Sequence, residues 1–186
     1  MAMRRDALAG AAECIVAVEQ FCKADSAGLV GTVGAITALP GATNVIPGSV
    51  SFTLDIRAPT DAHRKLAVAD LVRRIEAIAK RRALSLQIDV THENRTVPSA
   101  PWLKAQVAEA VAAENYRVFE LPSGAGHDGM AMIDVTDVAL LFVRCRGGIS
   151  HNPAEHVEPA DADAGARVLL RLIENFRPRE AGSTIL

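Results

Sequence analysis

The sequence predicts an α/β protein in two parts. The first is an incomplete ferredoxin-like unit over residues 1–97, and the second an α/β unit over residues 98–186. Three observations carry this reading. Val50 to Arg57 alternates apolar and polar side chains with period two, as a strand with one covered face does. Long segments on both sides of it repeat apolar residues at helical spacing, which supplies the cover. Val138-Ala-Leu-Leu-Phe-Val143 is an unbroken apolar run, the pattern of a strand buried on both faces.

The elements of the first part follow in order. From Arg4 to Lys23, Leu8, Ala11, Ile15, Val18 and Cys22 fall on one helical stripe, with Asp6 near the start. Asp25-Ser26 opens toward a strand over Leu29–Leu39, in which Gly31 and Gly34 mark a close backbone approach. Pro40 to Gly48 has the composition of a structured turn. In the strand that follows, Val50, Phe52, Leu54 and Ile56 share one face, and Ser51, Thr53, Asp55 and Arg57 the other. Pro59-Thr60-Asp61 starts a second helix with Leu66, Ala69, Val72, Ile75 and Ala79 on a stripe, and Leu84 to Val90 alternates as another strand. Helix, strand, strand, helix, strand is a split β-α-β unit lacking its first strand. Because such a sheet would leave an uncovered edge, the chain is expected to begin inside a domain.

The organisation changes at Pro98-Ser-Ala-Pro101. A helix is expected over Trp102–Glu114, a strand-like piece over Tyr116–Leu121, and a loop from Pro122 to Asp128 opening a short helix through about Ile133. After the apolar run, a loop from Arg144 to Pro159 leads to a last helix carrying Val168, Leu169, Leu172 and Phe176, ended by Pro178. No internal repeat or low-complexity segment interrupts the chain.

Composition narrows the function classes. Among 186 residues, 20 Lys and Arg nearly cancel 22 Asp and Glu, which argues against nucleic acid or an anionic membrane as partner. Lys80-Arg81-Arg82, the longest basic cluster, complements a helix C-terminus. Cys14 and Cys22 would lie about 12 Å apart on one helix, too far to bridge. With Cys145 they read as small core hydrophobes in a reducing, cytoplasmic compartment. No apolar run approaches a membrane span of about 18 residues.

Three places could carry chemistry. Gly124, Gly126 and Gly129 match the spacing of the dinucleotide fingerprint, but no carboxylate closes the following strand, so the loop reads instead as a turn offering N–H groups to an anion. His151, in the Gly-rich stretch Gly147 to His156, is well placed for a ligand pocket, or is a solvent-exposed or capping histidine. Glu155 could set the tautomer of a ligating ring. Arg57 ends the polar strand face just after the turn holding Asn44. Its planar fork suits a substrate carboxylate, or simply Asp55 or another surface carboxylate.

Taken together, Asn44-Val-Ile-Pro-Gly48 with Phe52-Thr-Leu-Asp-Ile-Arg57, then Ser123-Gly-Ala-Gly-His-Asp128, then Gly148-Ile-Ser-His-Asn-Pro153 with Glu155, resemble the amidase, hydantoinase/carbamoylase family. That family holds N-carbamoyl-L-amino-acid hydrolases, allantoate amidohydrolases and β-ureidopropionases, in the clan of zinc aminoacylases and dipeptidases. Met1 to Asp6 resembles the region after its His-Ala-Gly-Thr-Thr-Pro-Met segment.

The resemblance implies a lid and dimerisation domain over 1–97, followed by the C-terminal portion of a metallohydrolase catalytic domain over 98–186. It implies that Asn44 and Arg57 hold the substrate carboxylate and neighbouring polar atoms. Gly124, Ala125 and Gly126 would contact the substrate through the backbone, and His151 would be the last metal ligand. Gly129 stands where alanine is usual. The reaction would be hydrolysis of a linear ureido C–N bond in a small ureido acid, with two divalent ions (zinc or manganese) in a homodimer joined through the lid. An acyl-amino acid or dipeptide substrate, or a non-catalytic dimerisation or ligand-binding module, are the alternatives. The family's other metal ligands and its paired glutamates would fall before Met1, so the chain alone is expected to be inactive, with no catalytic residue of its own and no stoichiometric metal.

Overall fold

The computed structural model describes residues 3–179. It divides into two compact units, the first through Thr96 and the second from Val97.

In the first unit, helix α1 (Ala7–Ala24) starts at Asp6, whose carboxylate accepts the Ala9 N–H at 3.0 Å. A side-chain cap of this kind contributes about 1 kcal/mol by satisfying a donor the helix cannot. Gly10, Ala11, Cys14 and Val18 form its buried face. The two expected strands are each broken in two: β1 (Val30–Thr32), β2 (Ile36–Leu39), β3 (Ser49–Phe52) and β4 (Asp55–Arg57). β1 pairs antiparallel with β4 and β2 with β3, so the four pieces make one long two-stranded ribbon. Thr32 faces Asp55 while Ile36 faces Phe52, so the first strand carries one extra residue at the break. This is a bulge, closed by Thr53, which donates its N–H to the Ala35 carbonyl at 3.1 Å and accepts the Ala35 N–H on Oγ1 at 3.1 Å. Had the β1–β4 register run on without the bulge, Ala35 and Thr37 rather than Ile36 and Ala38 would stand opposite the inward-facing Phe52 and Val50.

The alternation across Val50–Arg57 holds residue by residue: Val50, Phe52, Leu54 and Ile56 are half-buried, and the residues between them exposed. Phe52 and Leu54 pack with Ala17 on a core of Cys14, Ile75 and Ile78. Gly31 is required by contact. A Cβ there would lie 2.5 Å from Cys22 Sγ and 3.0 Å from Ile56 Cδ1, so β1 can approach α1 only without a side chain.

Helix α2 (Asp61–Arg81) is capped by Thr60, whose hydroxyl accepts the His63 N–H at 3.3 Å. Its buried stripe is Ala67, Leu71, Ile75, Ile78 and Ala79. The expected stripe through Leu66 and Ala69 is thus corrected by part of a turn: Leu66 is 70% exposed and Leu71 only 1%. Both stripes are apolar in sequence, and the position of α1 and the ribbon selects between them. At the junction, Asp25 accepts the N–H groups of Ala27 (2.7 Å) and Leu29 (3.0 Å) and lies 2.8 Å from His63 Nε2. One carboxylate therefore joins the end of α1, the entry to β1 and the first turn of α2.

The expected strand Leu84–Val90 forms no ladder among the described residues. Extended backbone becomes a strand only by exchanging hydrogen bonds with a neighbour, and both described ladders are internal to the ribbon.

In the second unit, helix α3 (Pro101–Ala113) begins with proline at its first position, where the missing N–H costs nothing. It packs on α5 (Pro159–Glu174). Buried Gln106 donates to the Arg177 carbonyl at 3.0 Å and accepts the Arg177 N–H at 2.9 Å. Trp102 stacks obliquely on Phe176, centroids 5.9 Å apart, and donates its Nε1–H to Asp137 at 2.8 Å. Glu114, which caps α3, accepts from Arg171 and Arg167 of α5, and the Arg171 hydrogen bond holds its carboxyl below the usual carboxylate range. Helix α4 (Gly129–Met132) is a single turn.

Two expected strands in this unit are corrected. Neither Tyr116–Leu121 nor Val138–Val143 forms a ladder among the described residues. Val138 to Leu141 are half-buried, but Phe142 is 53% exposed, so the run is not covered on both faces. The Val138 carbonyl instead accepts the Ala100 N–H at 2.8 Å. A continuous apolar run signals burial of side chains; it does not supply the neighbouring strands on which pairing depends. No helix of the described residues is long and apolar enough to cross a membrane.

Candidate functional site

In the first unit, the turn between β2 and β3 is closed by the Gly48 N–H on the Leu39 carbonyl (3.0 Å) and tied to α1 by the Ala7 N–H on the Pro47 carbonyl (3.2 Å). Asn44 is exposed on this turn. Arg57 ends β4 opposite Val30, at the other end of the ribbon from Asn44. Within one chain the ribbon therefore separates the two residues that the sequence reading grouped as one carboxylate clamp. Arg57 donates from Nε (2.9 Å) and Nη2 (2.6 Å) to one oxygen of Asp55, two residues back on the same strand face. That hydrogen bond stabilises the guanidinium and raises its already high pKa. The pair is half exposed, and Asp55 is the partner that the sequence reading offered Arg57 as the alternative to a substrate carboxylate.

In the second unit, the loop from Ser123 to Asp128 leads into α4. Gly124, Ala125 and Gly126 are exposed, and the Ser123 hydroxyl donates across them to the Ala125 carbonyl at 3.0 Å. The His127 carbonyl accepts the Met130 N–H at 2.9 Å, so the histidine belongs to the same turn as α4. Its Nδ1 is buried and has no hydrogen-bond partner among the described residues. A buried ring nitrogen without a partner is an exception in a folded protein. The position of His127 between two glycines was visible in the sequence, while the buried nitrogen was not.

His151 has a left-handed backbone (φ 57°), following Gly147 and Gly148 with φ of 65° and 69°. Left-handed non-glycine residues concentrate where the surrounding structure holds them for a purpose. Here Glu155 accepts the His151 backbone N–H at 2.8 Å, and Ser150 Oγ lies 2.8 Å from the ring Nδ1. The expectation that Glu155 orients the imidazole is thus corrected: the carboxylate holds the backbone, and the neighbouring serine holds the ring.

These residues belong to a recognisable lineage. The sequence pattern of Peptidase family M20/M25/M40 matches residues 6–175. The chain is a member of that family. As an M20 protein it is 41% identical to an allantoate deiminase of Arabidopsis thaliana, over 94% of this chain and 38% of the relative. It is 38% identical to an N-carbamoyl-L-amino-acid amidohydrolase of Pseudomonas sp. (strain NS671), over 93% of this chain and 42% of the relative. Its structure superposes on a hydantoinase/carbamoylase family amidase of Burkholderia multivorans with a TM-score of 0.87 at 35% identity, covering 93% of this chain and 42% of that one. A second solved relative, described as AtUAH in complex with glyoxylate, aligns with a TM-score of 0.83 at 32% identity, over 94% of this chain and 42% of that one. The named relatives are hydrolases of C–N bonds, and the M20 chain described here spans about two fifths of their length.

M20 enzymes are generally metal-dependent hydrolases. A catalytic centre takes about three protein ligands. No group of three or more His, Cys, Asp or Glu side chains that could hold a metal occurs among the described residues. His151, with Ser150 Oγ 2.8 Å from its Nδ1, is a single imidazole, and this chain's described residues do not by themselves fit a metal centre.

Proposed function

We propose that this M20 chain supplies substrate-gripping groups and one metal-ligand donor, His151, to a hydrolase of linear ureido C–N bonds in N-carbamoyl amino acids or allantoate. The observation that carries the reading is the Arg57 guanidinium, pre-oriented by Asp55 at the end of an otherwise regular strand face. It is supported by the hydrolase relatives at 41% and 38% identity. A planar fork fixed along one edge loses little freedom on meeting a carboxylate, which is how it discriminates an acid from a neutral ureide.

In this reading Arg57 and Asn44 of the first unit bind the acid end and adjoining polar atoms of the substrate, and the exposed backbone of Gly124, Ala125 and Gly126 is the substrate-binding group of the second unit. Because the ribbon separates Asn44 from Arg57 within one chain, the two act on different substrate atoms or in different copies of a homodimer. The first unit, read as an incomplete ferredoxin-like lid, has a two-stranded ribbon with open edges suited to pairing. The two divalent ions, zinc or manganese, belong to the complete enzyme. The family's description as peptidases favours one second reading, an acyl-amino acid or dipeptide as substrate.

The test is a nuclear magnetic resonance titration of the chain with N-carbamoylglycine, N-acetylglycine and N-methylurea, following the Arg57 Nε–H. The reading expects a response to the first and none to N-methylurea, which lacks the carboxylate. Equal responses to both overturn it, and a stronger response to N-acetylglycine supports the second reading.

A further inference from the structure

Arg57 is reached from Asp25 by two short routes, one from each carboxylate oxygen. Asp25 Oδ1 accepts the N–H groups of Ala27 and Leu29, at 2.7 and 3.0 Å. Between them Gly28 takes a left-handed backbone (φ 86°), and a Cβ there would lie 3.1 Å from Pro59 Cγ. Leu29 is buried, and the next residue, Val30, is the ladder partner of Arg57. Residues directly opposite in an antiparallel ladder share a face with Cβ atoms about 5 Å apart, so Val30 flanks the stem of the Arg57 side chain. The second route starts at Asp25 Oδ2, which lies 2.8 Å from Nε2 of the half-buried His63 in the first turn of α2. An ionised carboxylate only accepts, so Nε2 carries the hydrogen. Thr60, which caps that turn through the His63 N–H, is separated from Arg57 by only Ala58 and Pro59.

Val30 and Arg57 are the last pair of the ribbon at the end where no turn joins its strands. A two-stranded ladder is marginal by itself, and its last pair has no further pair beyond it. The Asp25–His63 contact stands where a turn would, joining the chain that enters β1 to the chain that leaves β4. We propose that Asp25 and His63 are positioning residues for Arg57: their contact holds the open end of the ribbon so that the guanidinium meets a substrate carboxylate in one place. A planar fork is sensitive to such displacement because both of its hydrogen bonds depend on one orientation. This inference rests on the reading of Arg57 as a carboxylate clamp proposed above.

The experiment is 15N nuclear magnetic resonance of the chain, unaltered and as His63→Leu and His63→Gln, with the Leu71 amide of α2 as a folding control. Glutamine can place an N–H where Nε2 stands, and leucine cannot. In the unaltered chain Nε2 of His63 should be protonated. In His63→Leu, amide exchange in β1 and β4 should quicken about tenfold relative to β2 and β3, the scale of one lost hydrogen bond, while Leu71 is unmoved. The Kd for N-carbamoylglycine, followed at the Arg57 Nε–H, should rise about tenfold in His63→Leu, and His63→Gln should recover most of it. If His63→Leu does not fold, His63→Asn, whose amide stops short of the carboxylate, takes its place. An unprotonated Nε2 in the unaltered chain overturns the proposal without any variant. Equal affinity in all the proteins also overturns it, and so does equal weakening in His63→Gln and His63→Leu. If exchange quickens as expected but N-carbamoylglycine moves no Arg57 signal in the unaltered chain, the hold on the ribbon end stands, and the reading of Arg57 as a carboxylate clamp falls.

Discussion

One oxygen of Asp55 accepts both the Nε–H and an Nη2–H of Arg57, two residues further along the same strand face. The geometry both positions the guanidinium and gives a substrate carboxylate an internal competitor. In the complete enzyme, Arg57→Ala is expected to cost about 2–5 kcal/mol of transition-state stabilisation, and Arg57→Lys most of that, since lysine keeps the charge but not the fork. Asp55→Asn, at a half-exposed pair, should cost no more than about 1 kcal/mol. Steady-state kcat/KM on an N-carbamoyl amino acid measures all three, and an unaffected Arg57→Ala enzyme removes Arg57 from the site.

The phase of α2 can be tested by two leucines. Leu71, almost fully buried, should cost about 2–5 kcal/mol when replaced by alanine. Leu66, largely exposed, should cost no more than about 0.5 kcal/mol. Urea midpoints followed by far-ultraviolet circular dichroism decide; equal losses would place the buried stripe where the sequence periodicity first put it.

Asp25 makes the first unit acid-sensitive. Its carboxyl is held below the usual carboxylate value, first by the Leu29 backbone hydrogen bond and further by those from Ala27 and His63. A depressed folded-state pKa contributes stability that is fully present above the unfolded value of about 3.9 and is lost as pH falls through the folded one. Asp25→Asn should therefore be less stable than the unaltered chain at neutral pH, and the difference should shrink below about pH 4. Amide exchange in α1 at neutral and acid pH reports it. A difference that is constant with pH would show that the carboxylate charge is not what stabilises the junction.

His151 carries the metal prediction. A lone imidazole provides little of the binding that about three or four ligands give together. The chain as described should therefore retain well under one equivalent of zinc on dialysis and hydrolyse no carbamoyl amino acid, whereas His151→Ala in the complete enzyme should lose metal and most turnover. Elemental analysis checks the first, and stoichiometric tight binding would point to a donor set other than the one read here.

Homodimerisation of the first unit is checked by sedimentation. Association at tens of micromolar, roughly where modest interfaces assemble, is expected, and a monomer throughout that range counts against the lid as an interface.

Much of this protein was legible in its sequence because the relevant signals are local. The period-two face of Val50–Arg57 and the helix starts at Asp6 and Thr60 each depend on a few neighbouring residues. What the tertiary structure decided depends on partners distant in the chain. A single bulge residue near Gly34 sets which side chains of β2 face the helices. The position of α1 selects Leu71 over Leu66 as the buried leucine. Leu84–Val90 and Val138–Val143 have the side chains of strands but no ladder, because pairing needs a second backbone that composition cannot specify. The same holds for Arg57: sequence could offer it Asp55 as a neighbour, and only the folded backbone places one carboxylate oxygen against two guanidinium N–H groups.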